Sequence, residues 1–198
     1  LPRFPFDKFA PATNKLGTQM KATGEVMGIG SNLEEALLKG IRSLEVGANH
    51  IYHSKFDNMS VDELLEYINE FRSDNIFAIA ELIYHGVSLE KLHEITMITP
   101  YFLQTFKNII DMEEVLRVNK DNETLIKAKK MGFSDKYIAK LWKSSELDVY
   151  NMRKEHNLFP VFKMVDTCHT NAYIPYFYSS YTGENASRLT NKKKIIVL

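Results

Sequence analysis

The sequence contains a single cysteine, Cys168, among its 198 residues. A disulfide framework is therefore excluded, and a reducing compartment, the cytoplasm, is expected. No apolar run reaches the roughly 20 residues that cross a bilayer. Neither sign of charge dominates, because 25 basic residues match 25 acidic ones. No net field would therefore attract nucleic acid or an anionic membrane.

Apolar residues make up 44% of the chain, which is enough for one buried core. Helical spacing dominates from 31 to 157 and predicts a mainly α fold of about eight helices, with short β segments at both ends. Gly86 and Gly132 lie where helices are expected to end. Helix starts are indicated by two pairs that resemble capping boxes and by one proline in a first turn: Asn32 with Glu35, Ser60 with Glu63, and Thr99 with Pro100.

The helical periodicity also predicts which side chains face the core. The first helix is expected to bury Leu33, Leu37, Ile41 and Leu44, and the second Val61, Leu64, Leu65, Ile68 and Phe71. The longest helix is expected to bury Phe102, Phe106, Ile109, Met112 and Leu116. Three acidic pairs are predicted to lie on solvated outer faces: Glu34 with Glu35, Glu63 with Glu66, and Glu113 with Glu114.

Strand-like segments lie only near the two ends. They are Leu1–Phe9, Met20–Ile29, Val161–Thr167 and Lys193–Leu198. Gly24, Gly28 and Gly30 mark points where the backbone must bend or approach another segment closely. Because the last strand is followed by no crossover partner and the chain starts at Leu1 without a methionine, we expect both ends to be cut from larger folded units.

The residues that usually carry chemistry do not form a convincing site. His50 and His53 are three apart, but they lie in a predicted loop without nearby acidic or thiol ligands, so solvated histidines are expected. Cys168 and His169 are adjacent and would point to opposite faces of a strand, which favours a buried core thiol. The glycines at 24, 28 and 30 match no phosphate-binding loop. We therefore predict no catalytic, cofactor-binding or metal-binding residue in this chain.

The segment from 132 to 156 has the spacing of a helix-turn-helix. Its basic residues are offset by acids, and Asp148 would face phosphate at the start of the second helix. A packed helical hairpin with a core of Ile138, Ala139, Leu141, Val149 and Met152 is favoured, and DNA binding is the alternative. Further along, an aromatic cluster either covers part of the core or docks against a neighbouring domain: Tyr173, Tyr176, Phe177, Tyr178 and Tyr181.

Seven sequence blocks, taken together and in order, are distinctive: Leu1–Phe9, Gly17–Gly30, Asn32–Glu45, Gly132–Leu141, Leu158–Cys168, Tyr176–Tyr181 and Lys193–Leu198. In this combination they resemble the large subunit of carbamoyl phosphate synthetase. The chain departs from that family at Ser31, where an arginine is usual, and at His169–Ala172, where Ala-Ala-Glu-Phe is usual.

The resemblance implies three parts: the closing strands of a first ATP-grasp half over 1–30, a helical oligomerisation domain over 31–157, and a linker with the first strand of the second half over 158–198. The parent enzyme would be an ATP-dependent ligase that makes carbamoyl phosphate from bicarbonate and ammonia for arginine and pyrimidine synthesis. It would use ATP with Mg²⁺ or Mn²⁺, none of it bound by this segment. The implied partners are the two flanking halves, a glutaminase small subunit and further copies of the chain.

Three functions remain open at this point. The first is an inactive connecting and oligomerisation segment of that enzyme. Because the intermediates of the reaction would hydrolyse in water, they must pass internally between the two halves, and such a segment would hold those halves rigidly. The second is a helix-turn-helix regulator that binds DNA. The third is an adaptor that binds a partner helix in an apolar groove.

Overall fold

The protein is mainly α-helical, as predicted. A computed structural model describes residues 1–6, 8, 12–165, 176–188 and 190–195. Within these residues lie eight α-helices: α1 (Leu33–Ser43), α2 (Val61–Ile68), α3 (Asn75–Tyr84), α4 (Leu89–Thr96), α5 (Pro100–Val118), α6 (Asn122–Lys130), α7 (Asp135–Trp142) and α8 (Glu146–Glu155). A short 3₁₀ turn, Ser54–Phe56, precedes α2.

Two small antiparallel ribbons flank the helices. Strand β1 (Pro2–Arg3) pairs with β2 (Gly24–Glu25), and β3 (Val161–Met164) pairs with β4 (Phe177–Ser180). The observed strands are therefore shorter than the sequence predicts. Strand β4 lies in a stretch for which the sequence predicts irregular structure. Its aromatic residues could have indicated a strand. Residues 193–195 form no strand, and the rest of that prediction lies outside the described residues.

The core is organised around α5, which packs against α1, α3, α4, α6 and α7. The predicted inward residues Phe106, Ile109, Met112 and Leu116 are buried, but Phe102 is 49% exposed. Phe102 therefore lies on the outer face of the first turn, and its neighbour Leu103 is the residue that is buried there. Each large apolar side chain that is fully buried contributes about 1.5–3 kcal/mol relative to exposure.

The first two helices bury slightly different faces from those predicted. In α1 the completely buried apolar residues are Leu38 and Ile41, whereas Leu37 is only half-buried. In α2 Leu64 and Ile68 are buried, but Phe71 lies after the helix end and is 74% exposed. The face of α1 is rotated because a charged residue, Glu35, occupies a buried position on it.

Most helix termini follow the sequence signals. Ser60 and Glu63 form a reciprocal capping box, and Pro100 occupies the first turn of α5. Gly86 and Gly132 have positive φ angles of 80° and 88°, as residues that follow helix ends often do. Thr99, the predicted N-cap of α5, makes no side-chain capping bond.

Candidate functional site

The carboxylate of Glu35 joins two segments to α1: the first flank, which precedes α1 and ends at Ser31, and the second flank, which follows α8 and contains β3 and β4. Its Oε2 atom accepts a hydrogen bond from the backbone N–H of Ser31 at 2.6 Å and one from the hydroxyl of Ser180 at 3.1 Å. Its Oε1 atom lies 2.9 Å from Nζ of Lys39. Glu35 is buried, so the prediction of a solvated outer face was wrong for this residue. Its partners come from segments 149 residues apart in sequence, as the Ser31–Ser180 contact shows, which no local pattern reveals.

The predicted capping box at the start of α1 is half formed. The side chain of Asn32 accepts a hydrogen bond from the backbone N–H of Glu35 at 2.8 Å, as expected. The Glu35 carboxylate does not return to Asn32 but bonds the preceding residue, Ser31. In this orientation the carboxylate also accepts a hydrogen bond from the Ser180 hydroxyl in the second flank.

Lys39, one turn further along α1, also contacts both flanks. Its ammonium group donates to the carbonyl of Ile29 at 2.8 Å and to the carbonyl of Ser179. The same group lies 5.5 Å from the ring centre of Tyr178. We call Ser31, Glu35, Lys39, Ser179 and Ser180 the flank junction. The junction contains an ion pair and hydrogen bonds to charged groups, which are stronger than hydrogen bonds between neutral groups.

Two glycines allow the first flank to lie directly on α1. A Cβ atom at Gly28 would come 2.1 Å from the carbonyl oxygen of Ala36, and one at Gly30 would come 2.8 Å from the Cβ of Glu35. Neither position could carry a side chain without moving backbone or the junction itself. The close approach expected at these glycines is therefore confirmed.

A second polar cluster lies at Asp135, on α7. Arg153 donates to this carboxylate through Nε at 2.9 Å and Nη2 at 2.5 Å, and Lys129 lies 2.8 Å from it. The ring of Tyr181 lies against both cations, 4.8 Å from Lys129 Nζ and 5.6 Å from Arg153 Cζ. This cluster therefore binds the second flank to α6, α7 and α8.

The ionisation of this cluster follows from its burial and its partners. Burial alone would raise the pKa of Asp135, but Arg153 and Lys129 outweigh it and hold the pKa below its ordinary value. Burial lowers the pKa of Lys129, against the opposing effect of Asp135. The carboxylate therefore stays charged and is paired with both cations.

A third buried group is centred on Glu113, on α5. The hydroxyl of Tyr137 donates to its Oε2 atom at 3.0 Å, and Nε2 of His50 lies 2.7 Å from its Oε1 atom, although the two are not aligned as in a good hydrogen bond. The imidazole of His50 stacks on the Tyr137 ring with 3.8 Å between ring centres. Glu113 and His50 were both predicted to be solvated, and both predictions were wrong, since each is 1% exposed or less.

Burial decides the ionisation of this group. It lowers the pKa of His50, with Glu113 opposing the shift. It raises the pKa of Tyr137, and the Glu113 charge raises it further. Tyr84 has a raised pKa for the same two reasons. The Glu113 carboxylate thus lies between the Tyr137 hydroxyl, the His50 ring and, at 3.6 Å, the Arg117 guanidinium, and the group joins α5 to α7 and to the loop after α1.

A cleft of about 650 Å³ lies beside this group. Tyr52, Lys136 and Lys140 line it together with the edge of the buried His50. Within the described ranges, no three His, Cys, Asp or Glu side chains are close enough to hold a metal ion. His53 is half-buried and accepts a hydrogen bond from the backbone of Lys55, so it caps the 3₁₀ turn.

The helix-turn-helix segment forms the packed hairpin that we favoured, with Ile138, Ala139, Leu141 and Val149 buried. Arg153, one of the cations that DNA binding would need, is bound to Asp135. Asp148 caps its own helix with Ser145 rather than standing free, and its pKa is lowered by that hydroxyl and the Ser145 backbone N–H.

The aromatic cluster in the second flank is packed only in part, and its docking against a neighbouring domain stays a prediction. Tyr178 and Tyr181 pack on cations of the helical part, and Tyr176 is 72% exposed. Tyr173 and the Cys168–His169 pair lie outside the described residues. Across the part that the structure describes, no helix is both long and apolar enough to cross a bilayer.

Comparison with protein families decides the identity of the helical part. Residues 25–157 match the family described as carbamoyl-phosphate synthetase large chain, oligomerisation domain. The match covers about two thirds of the chain. The chain belongs to this family. The resemblance read from the sequence blocks is thereby confirmed for the helical part.

The match to the carbamoyl-phosphate synthetase oligomerisation domain starts at Glu25 and ends at Asn157. It therefore includes Ser31, Glu35 and Lys39 of the flank junction, together with Gly28 and Gly30, which pack on α1. Ser179 and Ser180 lie beyond its end. The junction is thus the place where a segment outside the matched domain is bound to the domain itself.

Proposed function

We propose that the chain is the connecting segment of a carbamoyl-phosphate synthetase large chain, without catalytic groups of its own. In this proposal 1–30 belongs to a first ATP-grasp half, 31–157 is the oligomerisation domain, and 158–198 leads into the second half. The observation that carries the proposal is the family match over 25–157. The flank junction supports it, because a rigid spacer needs both of its ends bound to the same element.

The parent enzyme, in this proposal, is a cytoplasmic ATP-dependent ligase that uses Mg²⁺ or Mn²⁺ and serves arginine and pyrimidine synthesis. Ammonia would come from a glutaminase small subunit. Incubation of the present chain with ATP, Mg²⁺, bicarbonate and ammonia is expected to release no ADP above a protein-free blank. Sustained turnover would overturn the connecting role.

We further propose that self-association, which the family description indicates, uses an apolar surface at the junction of α4 and α5. Met97, Tyr101 and Phe102 are 75%, 67% and 49% exposed there, within six positions of one another. Large side chains bury roughly 150–250 Å² each, and a stable interface needs about 800 Å² per partner. The three residues would supply about half of a self-complementary contact, so a weak dimer is expected.

Sedimentation velocity over a range of concentrations tests this surface. The unmodified chain is expected to show a concentration-dependent rise in mean mass, and Tyr101→Glu is expected to abolish it. Leu147→Glu is the matched control, because Leu147 is equally exposed, at 63%, but lies on α8. A strict monomer at high concentration, or equal effects of both variants, would contradict the proposal.

No observation favours the two rival functions. DNA binding would require the cations of 132–156 to be free, and Arg153 is bound inside the protein. Retardation of DNA with a steep dependence on salt would revive that alternative.

A further inference from the structure

The flank junction binds two segments that are far apart in sequence to one helix. The first flank contacts α1 through the Ser31 N–H and the Ile29 carbonyl, and the second contacts it through the Ser180 hydroxyl and the Ser179 carbonyl. The two segments also touch each other, because the Ser31 and Ser180 hydroxyl oxygens are 3.1 Å apart. Glu35 and Lys39 each make one hydrogen bond with each flank.

We propose that Glu35 and Lys39 are positioning residues that couple the two flanks energetically, so that loosening one flank loosens the other. The inference rests on the proposed connecting role, because it assigns these residues the task of keeping the two ends in register. It concerns this chain's own contacts and does not depend on the identity of what lies beyond them.

The physical basis is that a shared partner makes two contacts cooperative. Glu35 is buried and charged, and its ion pair with Lys39 leaves Oε2 to two neutral donors, one from each flank. When one donor is withdrawn, the buried carboxylate loses part of the compensation for its desolvation. The carboxylate then gains more by turning towards water, which weakens its bond to the other flank. Such a coupling must be reciprocal.

Lys39 adds a second path with the opposite charge. Its ammonium group is held between carbonyls of Ile29 and Ser179 and is paired with Glu35. If either flank moves away, the remaining carbonyl and the carboxylate must hold the ammonium alone. Both side chains project from one helix a single turn apart, so α1 provides the rigid base.

Hydrogen–deuterium exchange of the whole chain, followed at Ser31 and at 177–182, tests the coupling. Lys39→Met is expected to speed exchange in both flanks by about tenfold, since a hydrogen bond to a charged group contributes about 1.5–3 kcal/mol. Lys127→Met is the matched control, because Lys127 forms an exposed ion pair with Glu123 on α6. It is expected to change neither flank.

Two further variants perturb one flank each. Ser180→Ala removes the hydroxyl of the second flank, and Gly28→Ala forces the first flank away from α1. Each is expected to speed exchange in the opposite flank as well as in its own. In a Glu35→Ala background these effects on the opposite flank are expected to shrink, because only the Lys39 path and the Ser31–Ser180 contact remain. Glu34→Ala serves as the control background.

Effects confined to the perturbed flank would overturn the coupling, as would effects on the opposite flank that are as large in Glu35→Ala as in the unmodified background. Far-ultraviolet circular dichroism checks that each variant keeps its helices. If Glu35→Ala does not fold, Glu35→Gln keeps the shape and removes the charge, and the same comparison is made there. The experiment uses neither nucleotide nor assembly, so its failure would leave the connecting role and the self-association surface standing.

Discussion

Two buried carboxylates, Glu35 and Glu113, occupy contrasting parts of the molecule. Glu113 lies on the central helix, and its neighbours His50, Tyr137 and Arg117 all belong to the helical part. Glu35 lies on α1, and two of its three partners come from segments outside the helices. The first carboxylate therefore stabilises the core, and the second attaches the flanks to it. The two carboxylates are similarly buried but stabilise different parts of the protein, and substitutions at each can distinguish these roles.

The largest loss of stability is expected for Glu113→Ala. This change leaves the Tyr137 hydroxyl buried without its acceptor and opens a cavity beside the His50 ring, which together are expected to cost about 3–5 kcal/mol. Urea denaturation followed by circular dichroism measures the free energy of unfolding. Glu114→Ala is the control, because the neighbouring carboxylate is 64% exposed. Equal losses from both variants would show that Glu113 does not hold the core.

Asp135→Asn is expected to lower the free energy of unfolding by about 2–3 kcal/mol, since the amide keeps the shape but leaves two buried cations without a counter-charge. The depressed pKa of Asp135 gives the sign with pH. Its stabilisation is present above the ordinary aspartate value, about 3.9, and is lost as the pH falls through the lower folded value. The acid-induced loss should therefore shrink in Asp135→Asn. Asp111→Asn, an exposed carboxylate paired with Lys107, is the control.

Glu35→Ala is expected to lower the global free energy of unfolding by only about 1–2 kcal/mol, because a flank can lift into water once its acceptor is gone. Its main effect should be faster exchange in the flanks, with the helical core protected. Glu34→Ala keeps the same loss of charge one residue away. A global loss as large as that of Glu113→Ala would erase the distinction between the two carboxylates.

The smallest effect concerns pH and His50. Its pKa is lowered by burial, so the unfolded chain binds a proton at a higher pH than the folded one. Stability is then expected to fall as the pH drops below about 6.5, by at most about 1.4 kcal/mol per pH unit for one proton. Unfolding measured at several values between pH 7 and 5 should show a shallower slope in His50→Gln. His156→Gln, at an exposed site, should keep the original slope.

Sequence periodicity predicted the helical part well. The eight helices and their main stops at Gly86 and Gly132 follow from local signals that act within a few residues. The packed hairpin of α7 and α8 was predicted for the same reason.

The sites were predicted poorly, and the cause is physical. A glutamate on a helix is usually solvated, and nothing near Glu35 or Glu113 in sequence distinguishes them from Glu34 or Glu114. Their burial depends on Ser180 and on His50, which reach them only through the fold. The glycines at 28 and 30 were a usable signal, since they indicated a close approach without saying to what.

The closeness of Gly28 to the Ala36 carbonyl also affects where this domain can be divided. A shortened chain spanning 32–157 would keep all eight helices but lose the Ser31 amide and the Ser180 hydroxyl that the Glu35 carboxylate accepts from. The helix surface on which Gly28 and Gly30 rest would be open to water. A shortened chain whose ends are chosen from the helix limits alone would thus lose the flank junction. A chain that keeps 28–31 and 177–180 would preserve it.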